Sequence, residues 1–451
     1  MNGSLPNLLR YRDFLRRAET RLTIAHESDT SFALLIIDLG RLAHLNPDYD
    51  YGHNNRFTSE LIEILTQLLP PSHLLCRRHQ TEFIAFVDTI PAQKRSYINR
   101  QFFQQGLDPV TDSLRLDIVM SAVVGATDFV CGETDLTTII DQAEMALSEA
   151  KRRVSRYRIT WHSDRLERMR NRRLTIASKL SGAIFARQII AHYQPEIEIP
   201  SGKILGFEAL ARWNCEGIGE ISAHEFIQLA EERNLIVQLT NCVMEQVIAD
   251  MPSIEEKFPE ATVSLNISPT LFVNEMIVDM LQELFDSKKL PARLMIEITE
   301  NKLPIRLSHL VAQLHTIRGL GIKVALDDFG RGYSSLSRLS NLPLDKLKID
   351  LSFIARSSHP ANERVINMIV SLGQALGMSV TAEGLETLEQ MNRLLNAGCK
   401  SAQGWFYCQA MPIKQVLNLP PVLTPIDSTA VWAPASASAT SPTLLQACRS
   451  L

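Results

Sequence analysis

Charged and amide residues recur at the carboxyl ends of apolar runs in the second half of the chain. They are Glu208 in LGFEAL, Asn266 in VSLNIS, Glu297 in LMIEIT, Asp327 and Asp328 in VALDDFG, Lys348 in LKID, and Glu383 in VTAEG. A single acid after a strand is usually a helix N-cap or a turn residue. Six such positions on separate runs are difficult to explain in that way. We therefore interpret them as parts of one site.

Carboxylates gathered in one place would raise each other's pKa values or destabilise the fold unless cations neutralise them. Hard oxygen ligands with one amide oxygen suit Mg²⁺ or Mn²⁺, and the sequence has no His or Cys cluster typical of zinc. The adjacent acids Asp327 and Asp328 could bridge two metal ions roughly 3.5–4 Å apart, the spacing used for in-line displacement at phosphorus. Lys348 would place a positive donor beside the attacking water or the developing charge. The pattern indicates phosphoryl chemistry with two divalent cations.

These residues need strands that end on one face. From about Thr175 to Pro420 the chain repeats a strand followed by a helix. The strand candidates are Ala191–Ile199, Lys203–Ala211, Thr262–Ile267, Leu294–Ile298, Ile322–Leu326, Lys346–Ile349, Ser379–Ala382 and a short one near Gly404–Tyr407. Eight such units predict a (β/α)₈ TIM-type barrel, in which the carboxyl ends of parallel strands meet where the active site forms.

The first 160 residues have a different pattern. Phe32–Ile37 is a compact apolar run, typical of a strand covered on both faces. Further strands are predicted at Leu74–Arg78, Glu82–Val87 and Leu116–Val124, and helices at Phe57–Leu69 and Leu136–Val154. This order predicts an α+β sandwich with helices packed on one sheet.

A chain of 451 residues is too long for one ordinary domain. We predict a first domain over residues 1–160, a linker helix over 161–178, the barrel over 179–420 and a disordered tail over 421–451. The tail is rich in Pro, Ala, Ser and Thr. The segment around the linker is rich in arginine, which we interpret as a solvated connecting helix rather than a patch for nucleic acid or membrane.

Composition excludes several classes of protein. A net charge of -4 gives no general reason to expect DNA as a partner. No run approaches the ~18 apolar residues of a membrane span, and the first residues lack the apolar core of a signal peptide. Seven cysteines without a CxxC pair fit free thiols in a reducing cytosol. We expect a soluble cytoplasmic protein.

The motif Glu208-Ala209-Leu210, within FEALARW, resembles the signature of EAL-type cyclic di-GMP phosphodiesterases. Other motifs follow in the order of that family. They are YQP at Tyr193–Pro195, LNIS at Leu265–Ser268, IEITE at Ile296–Glu300, DDFGRGYSSL at Asp327–Leu336, LKIDLSF at Leu347–Phe353, AEGLET at Ala382–Thr387 and QGWFY at Gln403–Tyr407. The resemblance implies hydrolysis of cyclic di-GMP to linear pGpG by a homodimer.

The resemblance also implies a role for each matching residue. The first metal would be held by Glu208, Asn266, Glu297 and Asp327, and the second by Asp327, Asp328 and Glu383. Lys348 would orient or activate the hydrolytic water, with Glu386 and Gln403 in support. The substrate would be contacted by Gln194, Leu210 and Arg212, with Gln194 at guanine and Arg212 at phosphate. Glu300 would brace the Asp327–Leu336 loop, which resembles the loop that couples dimer contacts to the metal site.

The N-terminal region resembles the GGDEF cyclase family in a degenerate form. Asp38 and Asn46 stand at the spacing of that family, but the signature reads HQTEF at His79–Phe83, and Thr81 replaces a metal-binding carboxylate. Further departures are Gly40 at a second acidic position, Phe57 where an acid would read guanine, and Pro70 and His73 at the upstream inhibitory site. We predict no cyclase activity. The domain would then dimerise, bind a protein partner, or bind GTP through Asp38 and Asn46, unless it is only a packing domain.

Three alternatives to the enzyme remain. The barrel could be a non-catalytic cyclic di-GMP receptor that acts through protein partners, but such receptors usually lack part of the metal set or the lysine. The chain could instead signal through its degenerate domain, with hydrolysis only resetting it. A metal-dependent barrel hydrolase of another substrate would make the matches at Gln194 and Arg212 coincidental.

Overall fold

The computed structural model describes residues 8–26, 31–39, 62–63, 65–67, 69–70, 72–79, 81–88, 122–130, 135–152, 157–273, 275–287, 293–300, 307–330, 339–355 and 360–424. The chain divides into two compact units, Met1–Thr175 and Ile176–Leu451. The boundary falls inside a helix, α3, which spans Asp164–Phe185 and so extends beyond the segment expected for the linker. Most of its described residues before Thr175 are exposed, whereas Ile176, Ala177 and Leu180 are buried.

The first unit is built on a five-stranded sheet with the order β2-β3-β1-β4-β5. Its strands are β1 (Ser31–Asp38), β2 (Leu74–Arg77), β3 (Glu82–Asp88), β4 (Ala122–Val130) and β5 (Tyr157–Trp161). Strand β1 is antiparallel to β3 and β4, whereas β4 is parallel to β5. Two helices, α1 (Tyr11–His26) and α2 (Leu136–Arg152), accompany the sheet.

Both faces of β1 are covered, as its unbroken apolar run predicted. Leu34 and Ile36 belong to a core with Phe14 of α1 and Ile139 of α2. On the opposite face, Leu35 and Ile37 pack in a second core with the helical residues Ile62 and Leu65. Burial on both sides explains why alternation of polar and apolar residues is absent from this strand.

Two predicted limits in this unit differ from those in the structure. The described part of β4 runs to Val130, well beyond the expected end at Val124, and residues 116–121 lie outside the described residues. Of the helix expected at Phe57–Leu69, residues 62–63 and 65–67 are helical, and Leu69 is not. The rest of that segment is outside the described residues.

The second unit contains a closed eight-stranded barrel, which confirms the fold class. The strands of this unit are β6 (Ile189–Glu198), β7 (Ile204–Cys215), β8 (Gly219–Ile221), β9 (Thr262–Asn266), β10 (Leu294–Thr299), β11 (Lys323–Phe329), β12 (Lys346–Ile349), β13 (Ser379–Glu383), β14 (Ser401–Gln403) and β15 (Met411–Pro412). Strands β6, β7 and β9 to β14 form the barrel, and β6 closes it by pairing with both β7 and β14. The short strands β8 and β15 extend the sheet beside β7 and β6.

Our expectation of a wholly parallel barrel is wrong at one strand. β6 is antiparallel to both of its barrel neighbours, β7 and β14, whereas the other neighbouring strands of the barrel are parallel. The reason is the connection between Glu198 and Ile204, which contains Gly202 at a positive φ of 72°. So short a link can make a hairpin but not a parallel crossover, which needs about a dozen residues or more.

Helices surround the barrel between its strands. They are α4 (Ala223–Glu232), α5 (Ile236–Lys257), α6 (Thr270–Val273), α7 (Met276–Asp286), α8 (Leu307–Gly319), α9 (Leu351–Ala355), α10 (Pro360–Ala375), α11 (Leu388–Asn396) and α12 (Ile413–Val416). Among the described residues, no helix combines the length and the apolar character that crossing a membrane requires.

The position predicted for the last barrel strand, β14, is wrong. This strand is Ser401–Gln403, and the expected strand Gly404–Tyr407 is a turn. There the chain folds back onto Leu385, whose carbonyl oxygen accepts a hydrogen bond from the backbone N of Phe406 at 2.9 Å. A side chain at Gly404 would lie 2.1 Å from that same oxygen.

The expected tail also begins too early. The backbone N of Ile204 donates to the carbonyl of Pro421, and the backbone N of Leu423 donates to Gly202 at 2.7 Å. Leu423 is buried in the barrel core. The chain is therefore packed on the barrel as far as Leu423, and residues 425–451 lie outside the described residues.

Candidate functional site

Strand register brings the predicted site residues to one end of the barrel interior. Across neighbouring strands, Glu208 pairs with Gln194, Asn266 with Glu297, and Glu383 with Gln403. Side chains alternate between the two faces of a strand, so residues two apart share a face. Because β6 is antiparallel, Gln194 reaches this end from the middle of its strand and not from a carboxyl end.

Lys348 lies at the centre of the site. Its Nζ is 2.6 Å from Glu383, 2.7 Å from Glu297, 3.0 Å from Glu208 and 3.8 Å from Asp327. Only 1% of Lys348 is exposed. Burying an ammonium is tolerated when it is paired and hydrogen-bonded, and here carboxylates from four strands satisfy that requirement.

Amide side chains fix the carboxylate of Glu208. Asn266 Nδ2 donates to Glu208 Oε1 at 2.6 Å, and Gln403 Nε2 donates to Glu208 Oε2 at 2.6 Å. Gln403 Nε2 also lies 3.0 Å from Gln194 Oε1, and Gln194 Nε2 donates to the carbonyl of Cys408. The chain of contacts orients Glu208 from both sides.

Asp327 and Asp328 face the site together because β11 is irregular at its end. Alternation would send neighbouring residues to opposite faces, but the pairing of β11 with β12 shifts between Leu326 and Phe329. Asp328 adopts a positive φ of 56°, a region that aspartate tolerates better than most residues. Its backbone N donates to Asp327 Oδ1 at 2.8 Å. One carboxylate oxygen from each of Asp327, Asp328 and Glu383 can be chosen so that all three lie within 4.8 Å.

The charges in the site shift several pKa values. Burial raises the pKa of Glu297 to about 7, against the attraction of Lys348, with Glu208 and Asp327 adding repulsion. Burial likewise raises the pKa of Asp327, and that of Glu383 well above its ordinary value. Glu208 is the exception: burial opposes its ionisation, but Lys348, Gln403 and Asn266 outweigh it and lower the pKa.

Lys348 itself remains charged. Burial favours its neutral form, but the surrounding carboxylates, led by Glu208 and Glu297, outweigh burial and hold its pKa well above the ordinary value. A lysine in this state donates hydrogen bonds and positive charge, and it cannot accept a proton.

The donor set fits divalent cations. Five carboxylates, from Glu208, Glu297, Asp327, Asp328 and Glu383, share this end of the barrel with the ammonium of Lys348. The excess is negative, the atoms are hard oxygens, and the amide of Asn266 adds one more. Such ligands are those that Mg²⁺ and Mn²⁺ prefer.

Other predicted site residues lie further from Lys348. Leu210 and Arg212 follow Glu208 at intervals of two on β7, on the same face, and both are half-buried. Glu386 is exposed, and its backbone N donates to Gln390 at the start of α11. Glu300 accepts a hydrogen bond from the backbone N of Gly330 at 2.8 Å, and residues 331–338 of the adjoining loop are outside the described residues.

Two acids of the barrel strands and their ends, Asp350 and Glu196, had no role assigned from the sequence. Asp350 is fully buried just after β12, and its carboxylate accepts a hydrogen bond from the backbone N of Ser352. Its negative charge contributes to the raised pKa of Asp327. Asp350 is the aspartate of the LKIDLSF motif, and its place in that motif is the sequence feature that could have identified it. Glu196 lies two residues beyond Gln194, where alternation along β6 directs it into the barrel.

In the first unit, Asp38 and Glu82, which pair in register on neighbouring strands, each contact a cation. Asp38 forms an ion pair with Lys151 of α2. Glu82 lies 3.2 Å from Arg78, which also contacts Glu144 at 2.5 Å. Residues 40–61 and Gln80, and therefore Gly40, Asn46 and Phe57, are outside the described residues.

Two protein-family models match the chain. The family model of the EAL domain matches residues 177–410, which is more than half of the chain. The chain belongs to the EAL domain family. The model described as "Diguanylate cyclase, GGDEF domain" matches residues 4–156, so a GGDEF domain and an EAL domain stand in tandem.

Several known proteins are similar over most of this length. The uncharacterized protein y4lL of Sinorhizobium fredii is 30% identical over 92% of this chain and 50% of its own length. MucR of Pseudomonas aeruginosa, named a bifunctional diguanylate cyclase and cyclic di-GMP phosphodiesterase, is 27% identical over 92% of this chain and 60% of its own. The chain thus spans half to three fifths of these two relatives.

Solved structures resemble the EAL domain and the tandem. The structure described as PaMucR phosphodiesterase in a c-di-GMP complex is 33% identical, with a TM-score of 0.51 over 54% of this chain and 99% of that one. The GGDEF–EAL portion of LapD from Vibrio cholerae has a TM-score of 0.60 over 89% of this chain and 95% of that one. At 16% identity, LapD supports the fold alone.

Proposed function

We propose that the EAL domain hydrolyses cyclic di-GMP to linear pGpG with two Mg²⁺ or Mn²⁺ ions. The observation that carries this proposal is the convergence of five carboxylates at one end of the barrel, four of which lie within 3.8 Å of one buried, charged lysine. The names of the relatives support the substrate, since MucR and PaMucR are both described as acting on or binding cyclic di-GMP.

The two metals would share Asp327 and otherwise have different ligands. The first would be held by Glu208, Asn266, Glu297 and Asp327, and the second by Asp327, Asp328 and Glu383. When bound, such a pair of ions makes water a better nucleophile and neutralises charge on the phosphoryl oxygens. The positive φ of Asp328 supports this assignment because it lets consecutive acids serve one site.

Lys348 would act as a donor and not as a base. In the metal-free protein the surrounding carboxylates, led by Glu208 and Glu297, hold the pKa of Lys348 well above its ordinary value, so the side chain carries its proton before metal binds. We propose that it orients the attacking water and stabilises the charge that develops on the phosphoryl oxygens. Gln403 would hold Glu208 for this purpose, and Glu386 would support the site from the loop after β13.

The substrate would lie beside the proposed metal ligands, at the same end of the barrel. Gln194 on β6 would contact a guanine and Arg212 on β7 a phosphate. Leu210, on the same face of β7 as Arg212, would also contact the substrate. The half-buried state of Leu210 and Arg212 supports this placement, because a binding surface must be accessible before the ligand arrives. Glu300 would fix the start of the loop after Gly330 through its hydrogen bond there.

We propose that the GGDEF domain does not make cyclic di-GMP and has a regulatory role through a protein partner, GTP or dimerisation. Thr81 cannot replace a metal-binding carboxylate. Asp38 is already paired with Lys151, and Glu82 with Arg78. Purified protein incubated with GTP and Mg²⁺ should yield no cyclic di-GMP, and synthesis of that product would refute the proposal.

The phosphodiesterase proposal is tested by following pGpG chromatographically after adding cyclic di-GMP and Mg²⁺ or Mn²⁺ to purified protein. We expect product formation that EDTA and Glu208→Ala both abolish. Loss of this ligand should cost on the order of 4 kcal/mol or more in barrier height. Glu260→Ala, an exposed acid paired with Lys203, is the matched control and should keep full activity. Tight binding without product would instead make the chain a receptor.

A further inference from the structure

A second polar layer lies beneath the predicted metal ligands. Glu196 on β6 forms an ion pair with Lys346 on β12, with 2.5 Å between the carboxylate oxygen and Nζ. The side chain of Glu196 is 12% exposed and that of Lys346 is 11% exposed. Glu196 also accepts a hydrogen bond from Thr381 Oγ1 at 2.7 Å. Thr381 lies 2.9 Å from the hydroxyl of Ser401. Four strands of the barrel are joined by this network.

Each member of this layer is two residues from a member of the site. The pairs are Glu196 with Gln194, Lys346 with Lys348, Thr381 with Glu383, and Ser401 with Gln403. Residues two apart on a strand share a face and lie about 6.6 Å apart. The lower layer therefore lies directly against the upper one.

Lys346 is the member with an electrostatic consequence. It is a second ammonium on the same face of β12 as Lys348, and it has a flexible stem of four carbons. Without a partner in its own layer, its charge would be attracted by the carboxylates above, such as Glu383. Glu196 neutralises Lys346 where it stands, and its carboxylate accepts two contacts that fix its direction.

The two layers interact electrostatically. The pKa of Glu196 is lowered: burial opposes its ionisation, but Lys346 outweighs it first and Lys348 contributes as well. Glu196 therefore lies within electrostatic reach of the lysine at the centre of the site. In an interior of low dielectric, charges at this range are felt strongly.

We propose that Glu196 is a positioning residue: it holds Lys346 in the lower layer and prevents that ammonium from competing with divalent cations for the carboxylates of the site. The inference rests on the proposed metal site. It assigns opposite effects to the two partners of one ion pair. Removing the acid releases a competing positive charge, whereas removing the lysine takes that charge away.

The test measures Mn²⁺ binding directly, from the free Mn²⁺ signal in electron paramagnetic resonance, with the full chain. Glu196→Gln should raise the dissociation constant on the order of tenfold, within the range for coupled neighbours. Lys346→Gln should bind Mn²⁺ at least as tightly as the wild type. The double variant E196Q/K346Q should return to within about threefold of the wild type. Glu198→Gln, on the same strand but outside the network, is the control.

Hydrolysis of cyclic di-GMP gives a second readout. In Glu196→Gln, the Mn²⁺ concentration for half-maximal activity should rise, while kcat at saturating Mn²⁺ should approach that of the wild type. A role in packing alone would predict loss in both single variants and further loss in the double variant.

Three results would overturn the inference. They are unchanged Mn²⁺ binding in Glu196→Gln, weaker binding in Lys346→Gln, and no recovery in the double variant. If Glu196→Gln does not fold, the Lys346→Gln and double variants still decide between the two signs. If the wild type binds no Mn²⁺, the proposed metal site itself fails, and this inference fails with it.

Discussion

Lys348 Nζ lies 2.7 Å from a carboxylate oxygen of Glu297, and both side chains are 2% exposed. An ion pair so deeply buried gains less from mutual attraction than it loses in hydration unless further partners are present. Those partners are the carboxylates of Glu208, Glu383 and Asp327. The site is therefore an excess of acids that one lysine only partly neutralises, and its properties should depend on added cations.

Lys348→Met should slow catalysis strongly and make stability depend on metal. We expect kcat to fall by roughly 10²–10³, the usual contribution of one donor that stabilises developing charge. Without Mg²⁺ the variant should be less stable by about 3–5 kcal/mol, because its buried carboxylates lose their cation. Thermal unfolding with and without Mg²⁺ measures this, and Mg²⁺ should raise the Tm of the variant more than that of the wild type. Lys203→Met at the surface is the control, and equal Mg²⁺ effects in both proteins would contradict the prediction.

Metal affinity should rise with pH up to about 7. The pKa of Glu297 is about 7 in the folded protein and about 4.5 ordinarily, so between these values the metal-free folded state holds a proton that the unfolded state releases. Raising the pH through this window lowers the stability of the metal-free protein. A cation binds the ionised carboxylate and expels that proton, so Mn²⁺ affinity should increase up to about tenfold per pH unit.

Calorimetric titration with Mn²⁺ between pH 5.5 and 8 tests this dependence. Glu297→Gln should have a shallower slope, though not a flat one, because the pKa values of Asp327 and Glu383 are raised as well. Glu208 should not contribute, since its pKa is lowered and it is ionised throughout. A wild-type affinity that does not change over this range would be inconsistent with the shift at Glu297.

Substitutions of Asp328 should separate the effect of its backbone conformation on stability from the effect of its carboxylate on activity. Asp328→Asn keeps a residue that tolerates a positive φ, so the Tm should stay close to that of the wild type while hydrolysis falls sharply. Asp328→Val should lose activity and also about 1–2 kcal/mol of stability, because a β-branched residue is strained in this region. Parallel unfolding and activity assays compare the two, and full activity in the asparagine variant would remove Asp328 from the metal site.

Gly404→Ala should damage the site through the backbone. A methyl group there would lie 2.1 Å from the carbonyl oxygen of Leu385, which must then move, together with the neighbouring Gln403. We expect a loss of about 1–3 kcal/mol in stability and lower kcat. Gly182→Ala in α3 is the control, because nothing lies within 4 Å of its position, and it should stabilise by about 0.5–1 kcal/mol. Equal stability of the two variants would contradict the close contact at Gly404.

Much of the barrel could be predicted because its strands carry local signals. The apolar runs that end in Asn266, Glu297 and Lys348 are found as strands close to their predicted limits. Errors arose where the signal was not local. The strand expected at Gly404–Tyr407 is a turn because it packs on Leu385, a partner distant in sequence.

The convergence of acids was predictable, but their contacts were not. A parallel barrel brings strand ends together whatever their separation in sequence, so Glu208 and Glu383 could be assigned to one site in advance. The ring of acids around Lys348, by contrast, depends on register, because a shift of one residue turns a side chain to the opposite face. Glu196 and Lys346 were overlooked for the same reason: each reads as an ordinary polar residue until the strands are aligned.

By itself, the sequence determined the fold class, the residue types of the site and the family, since these depend on local periodicity and on motifs in fixed order. Only the tertiary structure decided that β6 is antiparallel, that Asp327 and Asp328 face the same way, and that a second ion pair lies under Lys348. These features arise from pairing between strands far apart along the chain. Such pairing is set by the closure of the whole barrel and by hydrogen bonds that no single segment contains.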